Sequence, residues 1–161
     1  MARPILAPAE EFRSTHLYRP PWRLSERDVG RHLEQTYGGG WNDQDDHLQG
    51  VRMARPVMVG LDRVGSTRPD FYSEARCVAV EVKNWPLDRI ATLAGHLRIQ
   101  MAQRRWSMPA GTTHWMFFDL RGQRVGSLRD LARFLDQTLT SNQIVAEEVW
   151  LFLDARAVRA L

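Results

Sequence analysis

The chain has 161 residues, 43% of them hydrophobic, with six Trp and a single cysteine, Cys77. That is about one domain with enough apolar mass for a core, and it excludes an internal disulfide framework or a paired-cysteine zinc site. The net charge of +3 is a mild basic excess, compatible with nucleic acid but not diagnostic of it.

The opening residues, MARPILAPAEEF, lack the charged-then-apolar order of a secretory leader, and no run of 18 apolar residues exists, so no membrane span is expected. Residues 1–23 contain Pro4, Pro8, Pro20 and Pro21 without periodicity and are expected to form an extended lead-in that lies on the domain or on a partner, ahead of a single domain over 24–161. Ser25, with Asp28 three residues on, predicts a capped helix from Glu26 to Tyr37 that ends at Gly38-Gly39-Gly40. Val29 and Leu33 supply its apolar stripe. The acidic stretch 41–50 predicts a loop. It fails as a calcium loop opening at Asp43, because the sixth and twelfth positions hold Leu48 and Ala54 instead of Gly and Glu.

Three strands are predicted next, over Pro56–Leu61, Pro69–Tyr72 and Cys77–Lys83, with turns over Asp62–Thr67 and Ser73–Arg76. Ile90, Leu93, Ala94, Leu97 and Met101 predict a helix over Leu87–Arg105. A strand over Thr113–Leu120, a helix over Ser127–Leu139 and a strand over Val149–Leu153 complete the series. Short turns imply antiparallel hairpins first, and helical crossovers imply parallel strands later. The expected fold class is α/β, a mixed sheet with helices on both faces.

Strand CVAVEVK alternates, so Val78, Val80 and Val82 face one way while Cys77, Ala79, Glu81 and Lys83 face the other, with Glu81 and Lys83 about 6–7 Å apart. By itself this could be a strand end leaving the core with an exposed ion pair. Asp70, eleven residues before Glu81 on the preceding predicted strand, changes the balance, because a hairpin of that length can bring the two carboxylates together. With the Val82 carbonyl they make a hard oxygen set suited to Mg²⁺ or Mn²⁺. Lys83 beside them can order or deprotonate a water or hold a phosphate, which is equipment for phosphodiester hydrolysis. Lys83 is also the only lysine among 22 basic residues. Arginine does not replace it in proton transfer.

Gln100 and Arg104 share a helix face, which His96 continues; they would contact phosphate or bases and support Lys83, or form an exposed polar face. Arg68, near Ser66, could clamp a phosphate or be a turn residue. Arg121 and Gln123 could line the cleft or cap the next turn. Trp22, Trp41, Trp85 and Trp106 are stacking candidates, though such residues are more often core. The five histidines show no metal-ligand spacing, and the serine-hydrolase elbow and the GxxxxGK[ST] phosphate loop are absent.

Pro69-Asp70 followed by Glu81-Val82-Lys83 resembles the PD-(D/E)xK motif of restriction-endonuclease-like nucleases. A more specific resemblance covers about residues 60–125: GSTRPDFY (65–72), VAVEVKNW (78–85), Gln100 with Arg104, and DLRGQ (119–123) look like nuclease toxin domains of bacterial polymorphic toxin and contact-dependent inhibition systems. His114 departs from the Gln expected there. The resemblance implies a restriction-endonuclease-like core and catalytic Asp70, Glu81 and Lys83. The metal would sit on Asp70, Glu81 and the Val82 carbonyl, with Glu34 as an added acid. It also implies substrate contacts at Ser66, Arg68, Gln100 and Arg104. The expected substrate is DNA ahead of tRNA and the expected partner a cognate immunity protein. Such a domain is exported within a larger protein or by a secretion system and acts in the target-cell cytoplasm. A housekeeping repair or restriction nuclease and a non-catalytic nucleic-acid-binding domain of the same fold are the alternatives.

Overall fold

The computed structural model describes residues 7–43, 57–59, 62–64 and 68–161. Strand β1 (Glu11–Arg13) precedes helix α1 (Trp22–Tyr37), and β2 (Asn42–Asp43) follows it. Strands β3 (Val57–Val59), β4 (Asp62–Val64), β5 (Phe71–Ser73) and β6 (Val78–Lys83) come next. A 3₁₀ turn, Leu87–Arg89, leads into α2 (Ile90–Ser107); then come β7 (Thr113–Asp119), β8 (Arg124–Ser127), α3 (Leu128–Ser141), β9 (Glu148–Phe152) and β10 (Ala157–Arg159).

Six strands form one mixed sheet in the order β10-β9-β7-β6-β5-β2. Its centre, β6-β7-β9, is parallel and its flanks are antiparallel. Parallel neighbours need crossovers, and α2 and α3 are those crossovers. The alternation of β6 works as expected. Val78, Val80 and Val82 pack with Val29 and Leu33 of α1 and Phe117 of β7. Met116 and Phe118 of β7 point the other way, into a second core with Ile90, Leu97 and Met101 of α2 and Leu128, Leu131 and Leu135 of α3. Helices therefore cover both faces of a mixed α/β sheet.

Three expectations change. Helix α1 starts at Trp22, with Pro21 as the N-cap residue, because the Pro21 carbonyl already accepts from Leu24 N and Ser25 N at 2.9 and 3.1 Å. Ser25 is a buried helical residue instead of the cap. Within the expected Pro56–Leu61 strand, β3 pairs antiparallel with β4 in a separate two-stranded sheet, so Asp62–Val64 is strand where a turn over Asp62–Thr67 was expected. The loop expected over 41–50 opens with the short strand β2, and residues 44–50 lie outside the described residues. Of the two places expected for the lead-in, its described part lies on the domain: β1 pairs with β8, Ala7 reaches the second core, and Ser14, Thr15 and His16 hydrogen-bond the Asp154 carboxylate.

Candidate active site

The antiparallel register of β5 and β6 pairs Phe71 with Val80 and Tyr72 with Ala79. One step further, that register sets Asp70 across from Glu81. Asp70 Oδ2 accepts the Val82 N–H at 2.6 Å and so caps the strand where β5 stops. Asp70 and Glu81 are both buried. Burial, then the Glu81 charge, raise the Asp70 carboxyl to about 8 against the Val82 hydrogen bond. Val82, the source of the expected carbonyl ligand, lies between Glu81 and Lys83 on the same strand.

Glu81 is held from the α2 side. Its Oε2 accepts from Arg104 Nε and its Oε1 from Arg104 Nη2, each at 3.1 Å, and Lys83 Nζ reaches Oε1 at 3.2 Å. Arg104 belongs to the buried stripe Ile90, Ala94, Leu97, Met101, so the apolar face of α2 ends in a guanidinium aimed at the sheet. Lys83 is only 8% exposed, which removes the alternative of a solvated strand-end ion pair. Its ammonium lies 5.2 Å from the centroid of the Trp85 ring, a cation–π contact. His114 lies buried on the same side of the sheet. Burial first, then Arg105, lower its imidazole to about 4 and keep it neutral.

On the α1 side a cleft of about 500 Å³ runs along the helix to Asp70 and Phe71. Gly30 sets its width. A Cβ there would sit 2.8 Å from Phe71 Cε1 and Cζ, so only glycine lets α1 approach the sheet this closely. The expected accessory acid, Glu34, lines the cleft but is exposed. Glu26, two turns earlier and half-buried, is the helix acid whose charge reaches Asp70 and raises its pKa further. Glu26 was missed from sequence. The signal was present in Gly30, an interior helix glycine that marks a close approach one turn after Glu26.

The remaining expected contacts are dispersed. Ser66 lies outside the described residues. Arg68 is exposed, two residues before Asp70. Gln100 is half-buried beside the Arg104 stripe, and its Oε1 has no hydrogen-bond partner among the described residues; His96 is exposed. Arg121 and Gln123 resolve as turn and clamp residues. Arg121 forks onto Asp119 with Nη2 to Oδ2 at 2.7 Å and reaches Asp28 Oδ2 of α1 at 2.7 Å. Gln123 accepts from Leu87 N and donates to the carbonyls of Trp85 and Asp119.

Among the described residues no group of three or more His, Cys, Asp or Glu gathers at one point. The donor set still fits Mg²⁺, which is commonly bound through one or two carboxylates with water and substrate phosphate completing the shell. Burial first, and then the Glu81 charge, keep Asp70 protonated, and a divalent cation between the two carboxylates would offset both. No protein-family model, curated protein or solved structure matches this chain.

Proposed function

We propose that this chain is a divalent-metal-dependent nuclease of the PD-(D/E)xK, restriction-endonuclease-like class, acting on DNA ahead of tRNA as an antibacterial toxin domain. The observation that carries this reading is the β5–β6 register, which sets Asp70 across from Glu81 and leaves Lys83 on the Glu81 carboxylate.

A bound Mg²⁺ or Mn²⁺ would lower the pKa of water and offset charge on the scissile phosphate. Asp70, Glu81 and the Val82 carbonyl would hold it. Arg104 fixes the Glu81 carboxylate plane through two hydrogen bonds. Lys83, ordered by Glu81 and the Trp85 ring, directs its ammonium at the attacking water or a phosphate oxygen. A toxin of this kind requires a cognate immunity protein, and an acidic one would associate faster through charge complementarity.

A second reading, a non-catalytic nucleic-acid-binding domain, draws on the same ion pairs, since both Glu81 oxygens accept hydrogen bonds from cations. Incubation of the purified protein with plasmid, linear DNA and total tRNA, in Mg²⁺, Mn²⁺ or chelator, separates the two. Cleavage that needs metal and is abolished by Asp70→Ala supports the nuclease; no cleavage of any substrate with either metal supports the second. Arrested growth on expression in a bacterium, relieved by Asp70→Ala, supports the toxin role. Harmless high-level expression of an active enzyme rejects it.

A further inference from the structure

Helix α1 presents two parallel rows to the cleft. A four-residue step advances about 6 Å along a helix and turns it only slightly, so residues at that spacing form a file. The inner file is Trp22, Glu26, Gly30, Glu34. Gly30 touches Phe71, and Glu26 acts on Asp70. The outer file is Arg23, Arg27, Arg31. All three arginines are exposed, and all three line the cleft that ends at Asp70. Arg23 and Arg31 form no ion pair with another described residue. The one such contact of Arg27, to Asp28 Oδ1 at 3.4 Å, is a weak surface pair.

We propose that Arg23, Arg27 and Arg31 form a phosphate track that holds one strand of nucleic acid along α1 and leads it to Asp70, with Trp22 stacking a base at the start of the track. This deepens the nuclease reading and rests on it for the identity of Asp70 as the reacting end. The 6 Å repeat is comparable to the step between neighbouring phosphates of one strand. Arginine forks suit phosphate oxygens. Trp22 is 52% exposed at the head of the file, with the Arg23 guanidinium 5.1 Å from its ring centroid. An exposed indole beside a guanidinium is a stacking platform for a base. An acidic polypeptide would use the charges but has neither the fixed repeat nor a base to stack. The arrangement therefore favours a nucleic acid with an accessible single strand.

The test measures binding in chelator, with probe integrity checked on a gel. Fluorescence anisotropy is read across a salt series for wild type, the Arg23→Gln/Arg27→Gln/Arg31→Gln variant, Trp22→Ala, and a control Arg129→Gln/Arg133→Gln on exposed positions of α3. The probes are a 12-nucleotide single-stranded DNA, the matching duplex, an RNA hairpin and poly-glutamate. Losing three phosphate contacts should flatten the log affinity against log salt slope by about 2 for the single strand. Trp22→Ala should weaken the single strand roughly 5- to 150-fold and the duplex much less. The control should bind like wild type. An unchanged slope in the triple variant, an equal loss in the control, or poly-glutamate binding as tightly as DNA overturns the track. A protein that binds through the track yet never cleaves with any metal upholds this inference and rejects the nuclease reading. Cleavage with a slope indifferent to the three arginines does the reverse.

Discussion

Two buried charge clusters sit on the same sheet and are built from similar parts. In the first, Arg121 stands between two carboxylates. It forks onto Asp119 and reaches Asp28, so each acid has its own face of the guanidinium and α1 is tied to the end of β7. Burial opposes ionisation of Asp28, but the Arg121 hydrogen bond and charge outweigh it and hold Asp28 below the ordinary carboxylate range. In the second, Asp70 and Glu81 face each other directly, while Arg104 and Lys83 both attend Glu81. Against burial and two neighbouring carboxylates Asp70 has the Val82 N–H and, more weakly, the Lys83 charge, and it is pushed up to about 8. The difference is the placement of the cations. A guanidinium between two acids completes a structural clamp. Cations gathered on one acid leave the other in need of a positive charge, and such incompleteness is common at functional sites.

The largest expected effect comes from undoing the clamp. Arg121→Met leaves Asp119, with a fully buried side chain, without its cation. Removing one partner of such a pair costs about 3–5 kcal/mol, so the urea midpoint should drop accordingly. A change under about 1 kcal/mol would mean that the clamp is dispensable. At the second cluster the effect should move from stability to rate. Lys83→Arg keeps the charge but not the compact, titratable head. Cleavage should fall at least roughly 10²-fold, about 2.7 kcal/mol in the barrier, with the thermal melt little changed. An Arg variant that cuts within a few-fold of wild type would remove Lys83 from the mechanism.

The third prediction tests the incomplete cluster by pH. The Asp70 carboxyl is raised in the folded protein from an ordinary 3.8 to about 8. Below pH 4 both folded and unfolded forms carry the proton; between 4 and 8 only the folded form keeps it. Stability from this group is thus full in acid and lost as pH rises through 8. In chelator, the Tm of wild type should fall between pH 5 and 8.5 by at least about 2–4 °C, roughly 1 kcal/mol at this size, and Asp70→Asn should flatten the profile. Equal slopes in the two proteins would deny the electrostatic tension. The smallest effect separates the two helix acids. Glu26→Gln should alter the metal dependence of cleavage, whereas Glu34→Gln, exposed at the far end of the same file, should stay within about twofold. A larger effect from Glu34 would restore it as the accessory acid.

Patterns confined to one element were legible in sequence. The alternation of VAVEVK placed the valines on one core and Glu81 with Lys83 on the other face, and the α2 stripe was readable up to Met101. Partners chosen by tertiary packing were not. Nothing in DLRGQ says that Arg121 will find Asp28, 93 residues away, and the face shared by Gln100 and Arg104 pointed to the support of Lys83 without showing that Arg104 takes both oxygens of Glu81. Ser25 has the chemistry of a cap, but the proline pair before Trp22 starts the helix first. Strands β1, β8 and β10 are short edge strands without a hydrophobic period, so only their pairing defines them. Val57–Val59 forms a strand, as its pattern suggested, but the pattern says nothing about which strand it pairs with.

Gly122 carries a further consequence. Its φ is +72°, and a Cβ would fall 2.1 Å from the Tyr18 carbonyl carbon, because the chain at Tyr18–Arg19 crosses directly over this turn. Ser14 accepts the Gly122 N–H, and Asp154 gathers Ser14, Thr15 and His16 across sequence separations of 138 to 140 residues. These residues are synthesised more than 100 positions ahead of their partners, and they have nowhere to dock until the turn at Gly122 and the strand leading to Asp154 have been made. Docking of the segment therefore requires the distant turn and strand to be in place, and contacts of this span add to the non-local pairings that slow folding.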